Sequence, residues 1–236
     1  MHFRCLFLYA YVATQRISGL LLCGQKKEWD IMNEENKLFS TQNLIRMGLL
    51  SAISVVLMQF ELSIPILFPP FLKVDLSEVP SVIGILVVHP WAGLVIPLIK
   101  NLLDCLVFGS TTGYVGEASN LIVSVAYLLP LMLITRKNKS FKAILVGLLL
   151  GIGTTTIVGS FTNYFIILPL YSKFMPIDQI IQMGAVLNPA ISGLKSFVLL
   201  IIAPFNIFKS VIVSAAGLVV VKAILPAMRL LTSRHA

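Results

Sequence analysis

Long apolar runs broken by a few charges at recurring places constrain this chain more than any other feature. They are clearest from Phe71 to Asn120, FLKVDLSEVPSVIGILVVHPWAGLVIPLIKNLLDCLVFGSTTGYVGEASN. Hydrophobic residues make up 57% of the 236 and charged ones 12%, with a mean hydropathy of +0.93, beyond the apolar share of a soluble domain. Such a chain is expected to be an all-α, polytopic membrane protein, because backbone in hydrocarbon must pair its own N–H and C=O groups. At about 20 residues per span the length admits roughly five to seven crossings in one bundle.

The formal charge of +8 fits cytoplasmic loops that retain Lys and Arg. No basic run is interleaved with aromatic residues, so nucleic acid is not an expected partner. Cys5, Cys23 and Cys105 are isolated thiols, and His2, His89 and His235 are scattered, so neither a disulfide framework nor a metal site is indicated.

Residues 1–40 are expected to be an N-terminal extension that is disordered or not translated, with Met32 as the working start. A six-helix domain over 41–228 and a cytoplasmic tail over 229–236 follow. Ser40 or Thr41 can cap a first helix running from Gln42 to about Phe60. The proline-broken stretch Leu62 to Ser77 reads as a loop. Leu76 to Val88 reads as a short second helix ended by His89-Pro90, and Trp91 to Phe108 as the third. The fourth covers Glu117 to Ile134 and stops at Arg136, Lys137, Lys139 and Lys142, a cluster that should be cytoplasmic. A long Gly/Thr-rich fifth helix spans Ala143 to Tyr171. Ser172 to Asn188 reads as a polar loop, Pro189 to Ala203 as a half-embedded outer flap, and Pro204 to about Ile224 as the last helix. Six spans result, with both termini inside.

Ionisable residues inside spans cost a few kcal/mol on insertion scales, so each marks a functional hypothesis. Lys100 and Asp104 stand four apart on the third helix, either as an ion pair stitching helices together or as part of a site, and Asn101 stands beside them. Asn206 and Lys209 are three apart on the last helix. Asn163 adjoins Tyr164 in the fifth, and Glu117 and Asn120 open the fourth, where Glu117 reads as a cap. All converge on the outer half. With walls from Phe68, Phe71, Leu72, Tyr164, Phe205 and Phe208 they describe a pocket for a flat organic molecule with a polar edge. No catalytic motif stands out, so no catalytic residue is assigned and the chain is not expected to be an enzyme.

The segments FLKVDLSEVPSVIG, HPWAGLVIPLIKNLLD and GSTTGYVGEASN, with TNYFIILP and PFNIFK further on, resemble the S components of energy-coupling factor vitamin transporters, and most closely the riboflavin-specific ones, over about residues 41–228. The resemblance implies a six-helix subunit of a bacterial cell membrane that captures vitamin from outside. It implies riboflavin as transported ligand with no cofactor, and as partners a transmembrane coupling protein, EcfT, with two ATPase subunits. It implies that Asn163, Asn206 and Lys209 bind the isoalloxazine and ribityl groups, and that the loop around Phe68 to Lys73 closes over them. Lys100, Asn101 and Asp104 match a family pattern near the pocket. Gly48 and Ala52, four apart on the first helix, stand where the family places two small residues for docking on the coupling protein. Another vitamin on the same scaffold (thiamine, biotin or folate) is one alternative, and an ion-driven secondary transporter is another, although no internal repeat supports the latter.

Overall fold

Apolar runs between a polar start and a proline, glycine or basic stop become helices here. The computed structural model describes residues 40–110, 113–173 and 175–232, with side chains to residue 223. The chain divides into two units, Met1–Leu44 and Ile45–Ala236. Of the first, only 40–44 are described, where the Ser40 Oγ accepts from the Asn43 N–H at 3.3 Å. The extension expected over 1–40 otherwise lies outside the described residues.

Seven helices are present among the described residues. They are α1 (Thr41–Gln59), α2 (Val79–Val88), α3 (Ala92–Val107), α4 (Val115–Thr135), α5 (Phe141–Tyr171), α6 (Ile177–Leu187) and α7, which begins as Leu194–Phe197 and ends as Ala203–Thr232. Four of these, α1, α4, α5 and α7, are long and apolar enough to cross a bilayer. The chain is therefore a mostly helical membrane protein. Between α1 and α2 two short strands, β1 (Leu62–Ser63) and β2 (Lys73–Val74), pair antiparallel with Leu62 opposite Val74. A Lys73–Glu61 ion pair flanks them.

Three expectations need correction. The polar loop expected over 172–188 contains α6, whose Ile177, Ile180, Ile181 and Gly184 recur at helical spacing and whose Ile180 is buried. The flap expected over 189–203 is from Leu194 onward the first part of α7, so the last helix does not open at Pro204. Its far end reaches Thr232 rather than Ile224, which takes in the start of the expected tail.

A shared local device explains the second correction. π turns occupy Gly84–Val88 in α2, Asn163–Ile167 in α5 and Val198–Ile202 in α7. Each ends two residues before a proline: Pro90, Pro169 and Pro204. A proline lacks an N–H and crowds the carbonyl four residues back, and a wider turn relieves that clash without ending the helix. At Pro90, where the helix does end, the Leu86 carbonyl left without its helical donor accepts instead from Lys139 Nζ at 2.9 Å. Burial lowers the pKa of that lysine.

Close helix approach builds the frame. A Cβ on Gly147 would lie 2.9 Å from the Leu131 Cα, and one on Gly151 2.5 Å from the Tyr127 carbonyl oxygen, so α5 lies against α4 as only small residues permit. Thr154 adds a hydrogen bond across that seam, donating to the Ala126 carbonyl at 2.7 Å. One apolar cluster, around Val82, Ile85, Leu128, Leu131, Leu148 and Val213, joins α2, α4, α5 and α7. A second, around Phe68, Leu168, Ile180, Phe197 and Phe205, gathers the 60–78 segment, α6 and the start of α7.

Candidate functional site

Charged and polar groups that the apolar clusters exclude join into one chain of hydrogen bonds. Lys209 Nζ on α7 donates to Asp75 Oδ2 at 2.8 Å. Asp75 Oδ1 accepts from the Ser77 N–H at 2.9 Å and from the Ser77 hydroxyl. Lys100 Nζ on α3, fully buried, donates to Ser77 Oγ at 2.9 Å and to Glu78 Oε1 at 2.5 Å, and the Ser124 hydroxyl on α4 donates to that same Oε1. Two lysines thus meet two carboxylates, so the network is neutral in sum and each buried charge has a partner. Burial alone would raise the Asp75 carboxyl, but the Lys209 and Lys100 ammoniums outweigh it and hold it well below the usual carboxylate range.

Beside this network lies a small chamber of about 20 Å³, room for about one water, bordered among others by Glu78, Asn120, Ser124, Asn206, Lys209 and Ser210. Phe205 and Phe208, next to Asn206 and Lys209 in sequence, pack on Phe68, Phe205 edge-on at 5.2 Å between ring centroids and Phe208 at 5.7 Å.

Of the residues singled out from the sequence, Asn120, Asn206 and Lys209 line the chamber together. Asn163 is not among its lining residues, but it sits one turn along α5 from Gly159, and the Asn206 side chain packs directly on Gly159, where a Cβ would lie 2.8 Å from Asn206 Nδ2. Phe68 is buried in the second cluster, with Leu72 and Tyr164 packed against it. Lys100 belongs to the charged network. Asp104 is not its partner there: Asp104 accepts from Gln59 Nε2 at 2.8 Å, while Glu78, twenty-two residues before Lys100, takes the ammonium. The helical spacing of Lys100 and Asp104 made the pair plausible, but the reach of the lysine across to the α2 cap prevails. Gly48 and Ala52 are both exposed on one face of α1, with open space around a Cβ on Gly48.

Asn101, Asn163 and Asn206 share a conformation. Each donates Nδ2 to the carbonyl four residues earlier, to Pro97 at 2.8 Å, Gly159 at 2.8 Å and Ile202 at 3.0 Å. A carbonyl requires a donor, so the amide nitrogen faces the helix and the oxygen is left to face elsewhere as an acceptor. Asp75, Ser77, Glu78 and Ser124 went unnoticed in the sequence. The available signal was that two lysines in apolar helices require carboxylate partners, and Asp75 and Glu78 are among the few acids near them.

A bundle of long apolar helices that keeps a neutral, ion-paired polar network among its apolar clusters defines a polytopic membrane protein. The chain belongs to the family of ECF transporter substrate-specific components, whose pattern matches residues 42–221. It is similar to the riboflavin transporter FmnP of Bacillus subtilis, 36% identical over 176 residues that cover 73% of this chain and 86% of that one. It is similar also to the riboflavin transporter RibU of Staphylococcus aureus, 35% identical over 78% of this chain and 91% of its relative. A solved S component of a bacterial ECF transporter superimposes with a TM-score of 0.62 at 31% identity, covering 79% of this chain and 97% of the other.

Proposed function

We propose that this chain captures riboflavin on the outer side of a bacterial cell membrane and carries it inward together with an ATP-driven coupling module. Its family and the names of its relatives support the cargo. The observation that carries the reading is that Asn206 and Lys209, three apart on α7, both line the chamber, while Phe205 and Phe208 beside them in sequence pack on Phe68. The Asn206 oxygen accepts from an imide N–H and the Lys209 ammonium donates to the carbonyl beside it, the two requirements of the isoalloxazine edge. Asn163 and Tyr164 border the ring from α5, with Asn120, Leu72 and Phe68 around it, and Lys100, Asn101 and Asp104 support the site from α3.

A chamber of about 20 Å³ is far below the roughly 300–1,000 Å³ of ligand pockets. Riboflavin therefore enters as the Phe68 to Lys73 segment lifts and Lys209 exchanges Asp75 for the flavin. Titrating the detergent-purified chain with riboflavin should quench flavin fluorescence to saturation. A chain that leaves flavin emission unchanged but binds thiamine, biotin or folate would carry another vitamin. Vesicles of this chain alone that concentrate substrate on an ion gradient would point to a secondary transporter.

Six spans, α1 to α5 and α7, place both termini in the cytoplasm, with α6 at the outer surface. The basic cluster from Arg136 to Lys142 on the α4–α5 connection supports that orientation. The partners are the transmembrane coupling protein EcfT and two ATPase subunits, and the exposed Gly48 and Ala52 face of α1 is where EcfT docks. Leucine at either position meets open surroundings within this chain, so Gly48→Leu and Ala52→Leu should bind riboflavin as the parent does yet fail to co-purify with EcfT. Retained co-purification would move the docking face elsewhere.

A further inference from the structure

Glu78 holds a buried carboxylate oxygen that nothing among the described residues satisfies. The residue is 4% exposed and borders the chamber; Oε1 takes both Lys100 and Ser124, whereas Oε2 has no hydrogen-bonding partner. Although Glu78 stands at the N-cap of α2, its side chain makes no capping bond there. Buried carboxylate oxygens are almost always bonded, and a carboxylate only accepts. What Oε2 lacks is therefore a donor.

Resting on the riboflavin reading above, we infer that Glu78 is a specificity residue that receives a hydroxyl of the ribityl chain on Oε2. Two features choose the polyol over the ring. The acceptor and cation suited to the imide edge, Asn206 and Lys209, are on α7 next to the aromatic cluster, where a flat ring finds apolar walls. Glu78 has the Ser124 hydroxyl and Asn120 near it on the chamber border, groups suited to a chain of alternating donors and acceptors. Lys100 fixes the carboxylate from behind through Oε1, so Oε2 offers a charge-assisted bond in a dry site. A vitamin without a hydroxylated tail leaves that oxygen unsatisfied, which turns an orphaned acceptor into a means of rejection.

The test compares riboflavin with lumiflavin, which keeps the ring and its imide edge and carries a methyl group where riboflavin has its polyol. Because Glu78→Gln alone would strand the Lys100 charge, the variant is Lys100→Met combined with Glu78→Gln. In the parent chain riboflavin should bind more tightly than lumiflavin. In the double variant that ratio should fall about tenfold or more, the worth of a hydrogen bond to a charged group. An unchanged ratio overturns the assignment, and so does an equal loss for both flavins. A second measurement needs no substitution: on the parent chain, riboflavin analogues with one hydroxyl at a time replaced by hydrogen should show most of the loss at one position. A shallow, even loss along the chain overturns it. Equal binding of riboflavin and lumiflavin by the parent would refute the role of Glu78 and leave the riboflavin reading standing; binding of neither would refute both.

Discussion

Lys209→Met should weaken riboflavin binding by roughly 30- to 4,000-fold, corresponding to the about 2–5 kcal/mol lost when one partner of a buried charge pair is truncated. Two losses combine. The ammonium that donates to Asp75 at 2.8 Å and is proposed to turn to the flavin disappears, and Asp75, itself in the 60–78 segment and 6% exposed, loses its main counter-charge. Asp75→Asn separates them. If Lys209 only latches the segment, the two single variants and the double variant should all have the same affinity. If it also bonds the flavin, Lys209→Met should be clearly the weaker. Unchanged affinity in Lys209→Met would mean that the ammonium serves the empty protein alone. Flavin fluorescence titration in detergent reads all three.

Lys100→Met should cost about 3–5 kcal/mol of stability, because it leaves the Glu78 carboxylate buried and unpaired. Its ammonium is the fully buried link between Ser77 and Glu78, so the loss should be read in the thermal midpoint of the detergent-solubilised chain even without ligand. Adding Glu78→Gln removes the stranded charge and should restore much of the midpoint. A single variant as stable as the parent would show that the pair is held open to water. A double variant no better than the single one would place the damage in packing around the lysine stem instead.

Much of the frame was legible because membrane helices announce themselves by length. The runs expected for α1, α3, α4 and α5 end within one or two residues of the observed bounds, since Ser40, Pro90 and the basic cluster from Arg136 to Lys142 are strong punctuation. The error in α7 arose where Pro204 looked like a start and Lys195 looked too costly to bury. A π turn at Val198–Ile202 carries the helix past that proline, and Lys195 is exposed. The α6 segment was missed because Asp178, Gln179 and Gln182 masked its apolar spacing. Within the chamber, Asn206 and Lys209 could be read because both lie on one helix at one spacing. Asp75 and Glu78 could not, since their lysine partners are 134 and 22 residues away, and only the fold brings such residues within reach.

The three π turns carry one more implication. Each admits an extra residue into its helix, and every residue advances an α-helix by about 100°. The direction in which Asn206 and Lys209 point is therefore set by how many residues lie between Leu194 and them, and not by their identities alone. Deleting one residue from Val198–Ile202 would preserve every side chain of the chamber and yet swing both toward the wrong neighbours, so the length of α7 before Pro204 is itself a determinant of recognition.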